Sequence, residues 1–199
     1  MTTHDHDHQH ADGHEHGGAA HVHDAACAAA HGEVVLPRDQ RRLVVVFNSP
    51  VAQELAALAD RLSWPVTVLD PDRGRLDADP VPYALSATST AAAKLDADCD
   101  IVVCDHDRPE LGEVLAEVLA GPSRWVGVMG SMRHTAPHVA ALRERGVAEE
   151  DIARVHRPIG LDVGSRTPPE IALSTLAGLL ADRNGRSGGV FPAAEVQPA

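Results

Sequence analysis

The turns after three apolar runs carry the side chains best suited to hold or transform a ligand. "DIVVC" is followed by Asp105-His106-Asp107, an imidazole between two carboxylates. His106 can serve as a general acid or base, or bond a ligand oxygen; equally, Asp107 can cap a helix beside a solvated histidine. "WVGVM" is followed by Gly130-Ser131-Met132-Arg133-His134. Glycine and serine between strand and helix offer open amides at a positive helix end, and Arg133 adds charge, which makes an anion site. The plainer reading of Gly130 and Ser131 is a tight turn with a serine cap. "PVTVL" ends in Asp70, where a dinucleotide-binding fold places its ribose-binding acid. An Asp before Pro71 is also an ordinary turn residue.

A fourth candidate is "GLDVG", with Gly160, Asp162 and Gly164 in five residues. It precedes Thr167-Pro168-Pro169-Glu170, which has the pattern of a capping box with proline at the first helical position. That box needs no ligand. The glycines ahead of it exceed what a helix start requires, so Gly160, Asp162 and Gly164 are kept as ligand candidates.

The first 37 residues differ in kind. "HDHDHQHADGHEH" places His4, His6, His8 and His10 on one side of an extended chain, with His14 and His16 following. Neutral imidazoles and carboxylates suit Zn²⁺, Ni²⁺ or Cu²⁺. Weak metal capture and an acidic tail that binds metal only opportunistically are both open readings. Lacking Lys, Arg and a periodic apolar face, this segment is expected to be disordered.

These turns need elements to position them. "LVVVF" reads as a strand buried on both faces, "VAQELAALADRL" as a helix and "PVTVLD" as a second strand, together one βαβ unit. "DIVVCDHD" and "WVGVMG" are further strands. "RPELGEVLAEVLA", "MRHTAPHVAALRERG" and "PPEIALSTLAGLLADR" are helices. Alternation of this kind predicts an α/β fold: a Rossmann-like, doubly wound, mostly parallel sheet with helices on both faces. The expected organisation is a tail over 1–37, a Rossmann domain over 41–183 and a disordered tail over 184–199.

Composition narrows the partners. Aromatics are 3% of the chain, so the core is built from Val, Leu, Ile and Ala. A net charge of −12 argues against nucleic acid or an anionic membrane. No apolar run is long enough to span a bilayer, and no secretory signal is visible. Cys27, Cys99 and Cys104 form no CxxC pair. A cytoplasmic setting is therefore expected.

The first strand lacks the G-x-G-x-x-G of nucleotide-binding turns. Asn48-Ser49-Pro50 stands there instead, with side chains that hinder a pyrophosphate and a proline that removes an amide donor. Asn48 and Ser49 can cap the helix or bond a ligand.

"WVGVMGSMRH" and "RVHRPIGLDVGSRTPPEIALSTLA", with "VTVLDPD" and "IVVCDHDRPEL", resemble the C-terminal Rossmann domain of the XdhC/CoxI family over about residues 41–183. The resemblance implies an accessory protein that binds molybdenum cofactor and assists its sulfuration and insertion into xanthine dehydrogenase or a related CO dehydrogenase-like hydroxylase. It implies a chaperone more than a turnover enzyme. It sets the Gly130-Ser131-Arg133 turn against a phosphate and the Gly160–Gly164 loop along the same crevice. Three departures stand out. The N-terminal domain motifs of the family have no counterpart, so a separate N-terminal-type protein would be a partner. The family's G-x-G-H turn is replaced by Asn48-Ser49-Pro50. Met132 and His134 stand where basic residues are common. The alternatives are an NAD(P)-dependent oxidoreductase and a metal-delivery protein acting through the histidine tail; homodimerisation is left open.

Overall fold

The computed structural model describes residues 25–35, 41–130 and 136–189. The chain divides into two compact units, Met1–Pro37 and Arg38–Ala199. The first contains a short helix, α1 (Ala25–Ala30), inside the segment expected to lack structure.

The second unit is a six-stranded parallel sheet. In chain order its elements are β1 (Arg42–Val46), α2 (Pro50–Arg61), β2 (Val66–Leu69), α3 (Arg73–Ala78), β3 (Leu85–Ala87), α4 (Thr90–Ala93), β4 (Cys99–Val103), α5 (Leu111–Ala120), β5 (Trp125–Val128), α6 (Pro137–Arg143), α7 (Glu149–Ile152), β6 (Val155–His156) and α8 (Pro168–Arg183). The strand order is β3-β2-β1-β4-β5-β6. Val44 stands between Thr67 of β2 and Ile101 of β4, so the order reverses at β1 and β4. This is the doubly wound arrangement expected from the sequence.

The period-two alternation of strand side chains builds two cores. Val44, Val46, Ile101 and Val103 face α5, meeting Leu111, Val114, Leu115 and Val118. Leu43, Val45, Val66, Val68 and Val102 face the other way, onto Ala52, Leu55, Ala56 and Ala59 of α2 and Ala172, Leu176 and Leu179 of α8. The alanines let α2 approach closely. Burial on both faces explains why β1 and β4 are continuous apolar runs.

Helix ends follow local chemistry. Ser49 caps α2, its hydroxyl accepting from the Ala52 amide at 3.2 Å, with Pro50 opening the helix. Thr167 and Glu170 form the expected capping box on α8, with the Glu170 carboxylate accepting from the Thr167 amide at 3.0 Å and the Arg166 amide at 2.8 Å. Those amides hold the Glu170 carboxyl below its usual range. α5 begins at Leu111, two residues later than Pro109, with Glu110 at its cap. Among the described residues no helix is long and apolar enough to cross a membrane.

Candidate functional site

The carboxyl ends of the strands gather Asp70 after β2, His106 and Asp107 after β4, and Gly130 after β5, with Gly160, Asp162 and Gly164 in the segment joining β6 to α8. Ser131 and Arg133 lie outside the described residues, as do His4, His6, His8, His10, His14 and His16.

Asp70 is fully buried. Its two oxygens accept from the Asn48 amide and the Asp72 amide, both at 2.9 Å. Arg108 reaches the same carboxylate at 3.3 Å, and Arg75 at 3.9 Å. Glu110 completes the cluster, 3.3 Å from Arg108 and 3.7 Å from Arg75. Asp70 thus ties the turns after β1 and β2 to the segment after β4. The Arg108 guanidinium also lies over the Phe47 ring, 4.8 Å from its centroid.

Phe47 itself is unusual. It has a φ of +68° and is fully buried at the position where a nucleotide-binding fold carries its first glycine. The left-handed backbone turns the chain, and the ring fills the space beside it. Asn48 follows, its side-chain amide donating to the carbonyls of Arg75 and Asp79 at 3.1 and 2.9 Å. Its buried Oδ1 has no partner among the described residues.

His106 is partly buried, with Nε2 3.7 Å from the exposed Asp107 carboxylate. The Asp107 amide donates to Asp105 at 3.0 Å, so this carboxylate shapes the turn. Cys104, at the same strand end, is buried, and burial together with Asp105 pushes its thiol far above the usual range. Burial of this kind disfavours the thiolate and makes Cys104 a poor nucleophile.

Gly130 is pressed against an arginine the sequence did not single out. A Cβ at this position would stand 2.6 Å from Nε of Arg157. Arg157 follows β6 directly and lines a cleft of about 330 Å³ between α6, α7 and β6. His138 lines the same cleft. Burial and the neighbouring Arg157 charge lower its pKa, disfavouring the imidazolium.

Gly160 is placed by packing. With φ +87°, it lies so close to α8 that a Cβ would meet Ser174 and Thr175 at 3.0 Å. Gly178 answers from the helix: its Cβ would stand 3.0 Å from Cα of Gly160. The Leu161 amide donates to the Ser174 carbonyl at 3.0 Å, securing the loop. Gly160 also lines a smaller cavity of about 230 Å³ with Trp125 and His156, whose rings stack at 5.0 Å. Asp162 and Gly164 are exposed. Gly164 takes φ +70° with open space around it.

Residues 43–179 match the family described as the XdhC Rossmann domain. The chain belongs to that family. It is also 36% identical over 155 residues to the uncharacterized protein YqeB of Escherichia coli (strain K12), covering 75% of this chain and 29% of that protein. In fold it is similar to a crystal structure described as a xanthine dehydrogenase from Bacillus halodurans, with a TM-score of 0.60 and 20% identity, over 77% of this chain and 45% of that one. The chain therefore spans less than half of either relative.

Proposed function

We propose that this chain is an accessory protein that binds molybdenum cofactor, or a related nucleotide, and serves the maturation of a molybdenum hydroxylase of the xanthine or CO dehydrogenase kind. It works as a cofactor-holding chaperone more than as a turnover enzyme. Membership of the XdhC Rossmann-domain family supports this, and the observation that carries it is the Arg157 guanidinium packed beside the Gly130 turn at the carboxyl end of β5.

The fit is chemical. The cofactor ends in a phosphate, or a diphosphate in its dinucleotide forms. Gly130, lacking a Cβ, leaves room for the Arg157 guanidinium beside the turn, and a planar guanidinium grips phosphate through paired N–H donors. Ser131 and Arg133 would add donors and charge on the grounds of sequence. His106 and Asp107 would border the ligand beyond β4, and Gly160, Asp162 and Gly164 beyond β6. Asp70 would act indirectly, by fixing the Asn48 amide and Arg108. When bound, the group supplies the molybdenum centre its recipient needs; the residues named here hold and orient it. The partners would be the hydroxylase, a separate N-terminal-type protein and a second copy of the chain, in a cytoplasmic setting.

An NAD(P) reading has less support, because the Phe47 ring occupies the glycine turn and both Asp70 oxygens are already engaged. Metal delivery through the histidine tail rests on sequence; among the described residues no group of three or more His, Cys, Asp or Glu side chains is set to hold a metal. Purified protein incubated with released cofactor should co-elute with it, and Arg157→Ala should lose that association. Absence of co-elution, with and without the hydroxylase, would overturn the proposal.

A further inference from the structure

The smaller cavity, of about 230 Å³, lies between α8, the β5–β6 edge of the sheet and the loop after β6. α8 packs with Leu43, Val45 and Val102 in the middle of the sheet. The β5–β6 edge on this face is left to two rings. Trp125 opens β5, and a Cβ at Gly127 would run into its indole, so the indole lies back over that glycine. Gly127 is in register with His156 of β6. Indole and imidazole therefore meet, with planes within 10° of parallel. Ile159 and Leu161 of the loop and Leu179 of α8 complete an apolar wall.

Three properties of the cavity select a ligand. The indole covers one face of the imidazole while His156 is exposed, so a ring that enters extends an existing stack. Two charged side chains stand on the wall beside the imidazole, Asp182 and Arg186. Asp182 is bound by Arg124 at 2.7 Å. Arg186 is exposed and is in no ion pair among the described residues, so the charge left over at the rim is positive. The volume falls below the range of about 300 to 1,000 Å³ common for ligand pockets, which limits the occupant to about one ring.

We infer that this cavity binds a single planar aromatic ring bearing an anionic group, the ring stacked on His156 and the anionic group on Arg186. The inference shares only Gly160 with the proposed function and does not rest on it.

Calorimetric titration of the full chain with benzoate tests it. Benzoate should saturate with a dissociation constant of about 1 mM, as suits so small a ligand. Cyclohexanecarboxylate keeps the charge and lacks the flat ring; benzyl alcohol keeps the ring and lacks the charge. Each should bind about fivefold more weakly. Arg186→Gln should weaken benzoate by about the same factor and leave benzyl alcohol unchanged. His156→Ala should weaken both aromatic ligands and leave cyclohexanecarboxylate unchanged. Ser187→Trp, at an exposed residue on the rim, should block all three. Positions 186 and 187 lie beyond the end of α8, so these two variants keep the test decisive if His156→Ala misfolds. No saturation by benzoate below about 10 mM, equal affinity for benzoate and cyclohexanecarboxylate, or unchanged benzoate affinity in Arg186→Gln would each overturn the inference. Failure of molybdenum cofactor to co-elute removes the proposed function and leaves this site standing.

Discussion

Two fully buried aspartates stand at opposite edges of the same sheet, and each is held by two arginines. Asp100, at the amino edge in β4, accepts from Arg124 and Arg183. Arg183 has no exposed side-chain surface and lies 3.8 Å over the Trp64 ring, while Arg124 continues to Asp182 at 2.7 Å. Asp70, at the carboxyl edge, is bound by Arg108, Arg75 and two main-chain amides, and Arg75 is 42% exposed. The amino-edge cluster fastens the end of α8 to the sheet. The carboxyl-edge cluster fastens loops, and solvent reaches it. Charge burial in one place is a rivet and in the other a setting for the turns proposed to meet a ligand.

The largest effect should come from Asp100→Ala. It strands two arginines, one fully buried, at a cost of about 3–5 kcal/mol, read as a lowered denaturation midpoint. Anion binding by the fraction that remains folded should be unchanged. Asp70→Asn should cost less, about 2–3 kcal/mol, because the amide still accepts one hydrogen bond and the half-exposed Arg75 can return to water. It should also weaken ligand binding. Equal binding losses in the two variants would erase the distinction between the edges. Ser49→Ala removes the α2 cap at the carboxyl edge and should cost about 1 kcal/mol. Arg75→Ala should cost less than about 1 kcal/mol, and high salt should reduce that further.

The pH dependence sharpens the same contrast. His138 has a folded pKa below its ordinary value of 6.5. Above that value the group costs nothing. As pH falls through it, the unfolded chain takes up the proton first, so stability declines toward the folded pKa. Denaturant melts should show this decline in the wild type and a weaker one in His138→Leu.

The sequence announced the long elements because their signals are local. Continuous Val and Ile runs marked β1 and β4, and Thr-Pro-Pro-Glu marked the start of α8. β3 and β6, with three and two residues, were missed because so short a run carries no period. The residues after each strand were readable as site candidates, but their partners were not. Arg108 meets Asp70 across 38 residues, and Arg157 meets Gly130 only because β6 lies beside β5. An arginine in "DHDRPE" or "VHRPIG" looks like any surface charge until the strand order is known. Phe47 closes the apolar run of the first strand, and nothing in its residue type signals a left-handed backbone. Gly160 stands out in sequence as a glycine beyond what the helix start requires, and the structure adds a packing role against α8.

That packing has a consequence for which sequences this fold can accept. Glycine inside a helix costs about 1 kcal/mol relative to alanine. Alanine at 178 would recover helix stability but would set its methyl group 3.0 Å from Cα of Gly160. A methyl group at 178 asks Gly160 to give by a few tenths of an ångström, and one at 160 asks the same of Ser174 and Thr175 and also meets a left-handed φ of +87°. The close seat of this loop on α8 therefore rests on both positions, and a methyl group at either is met by a different part of the contact.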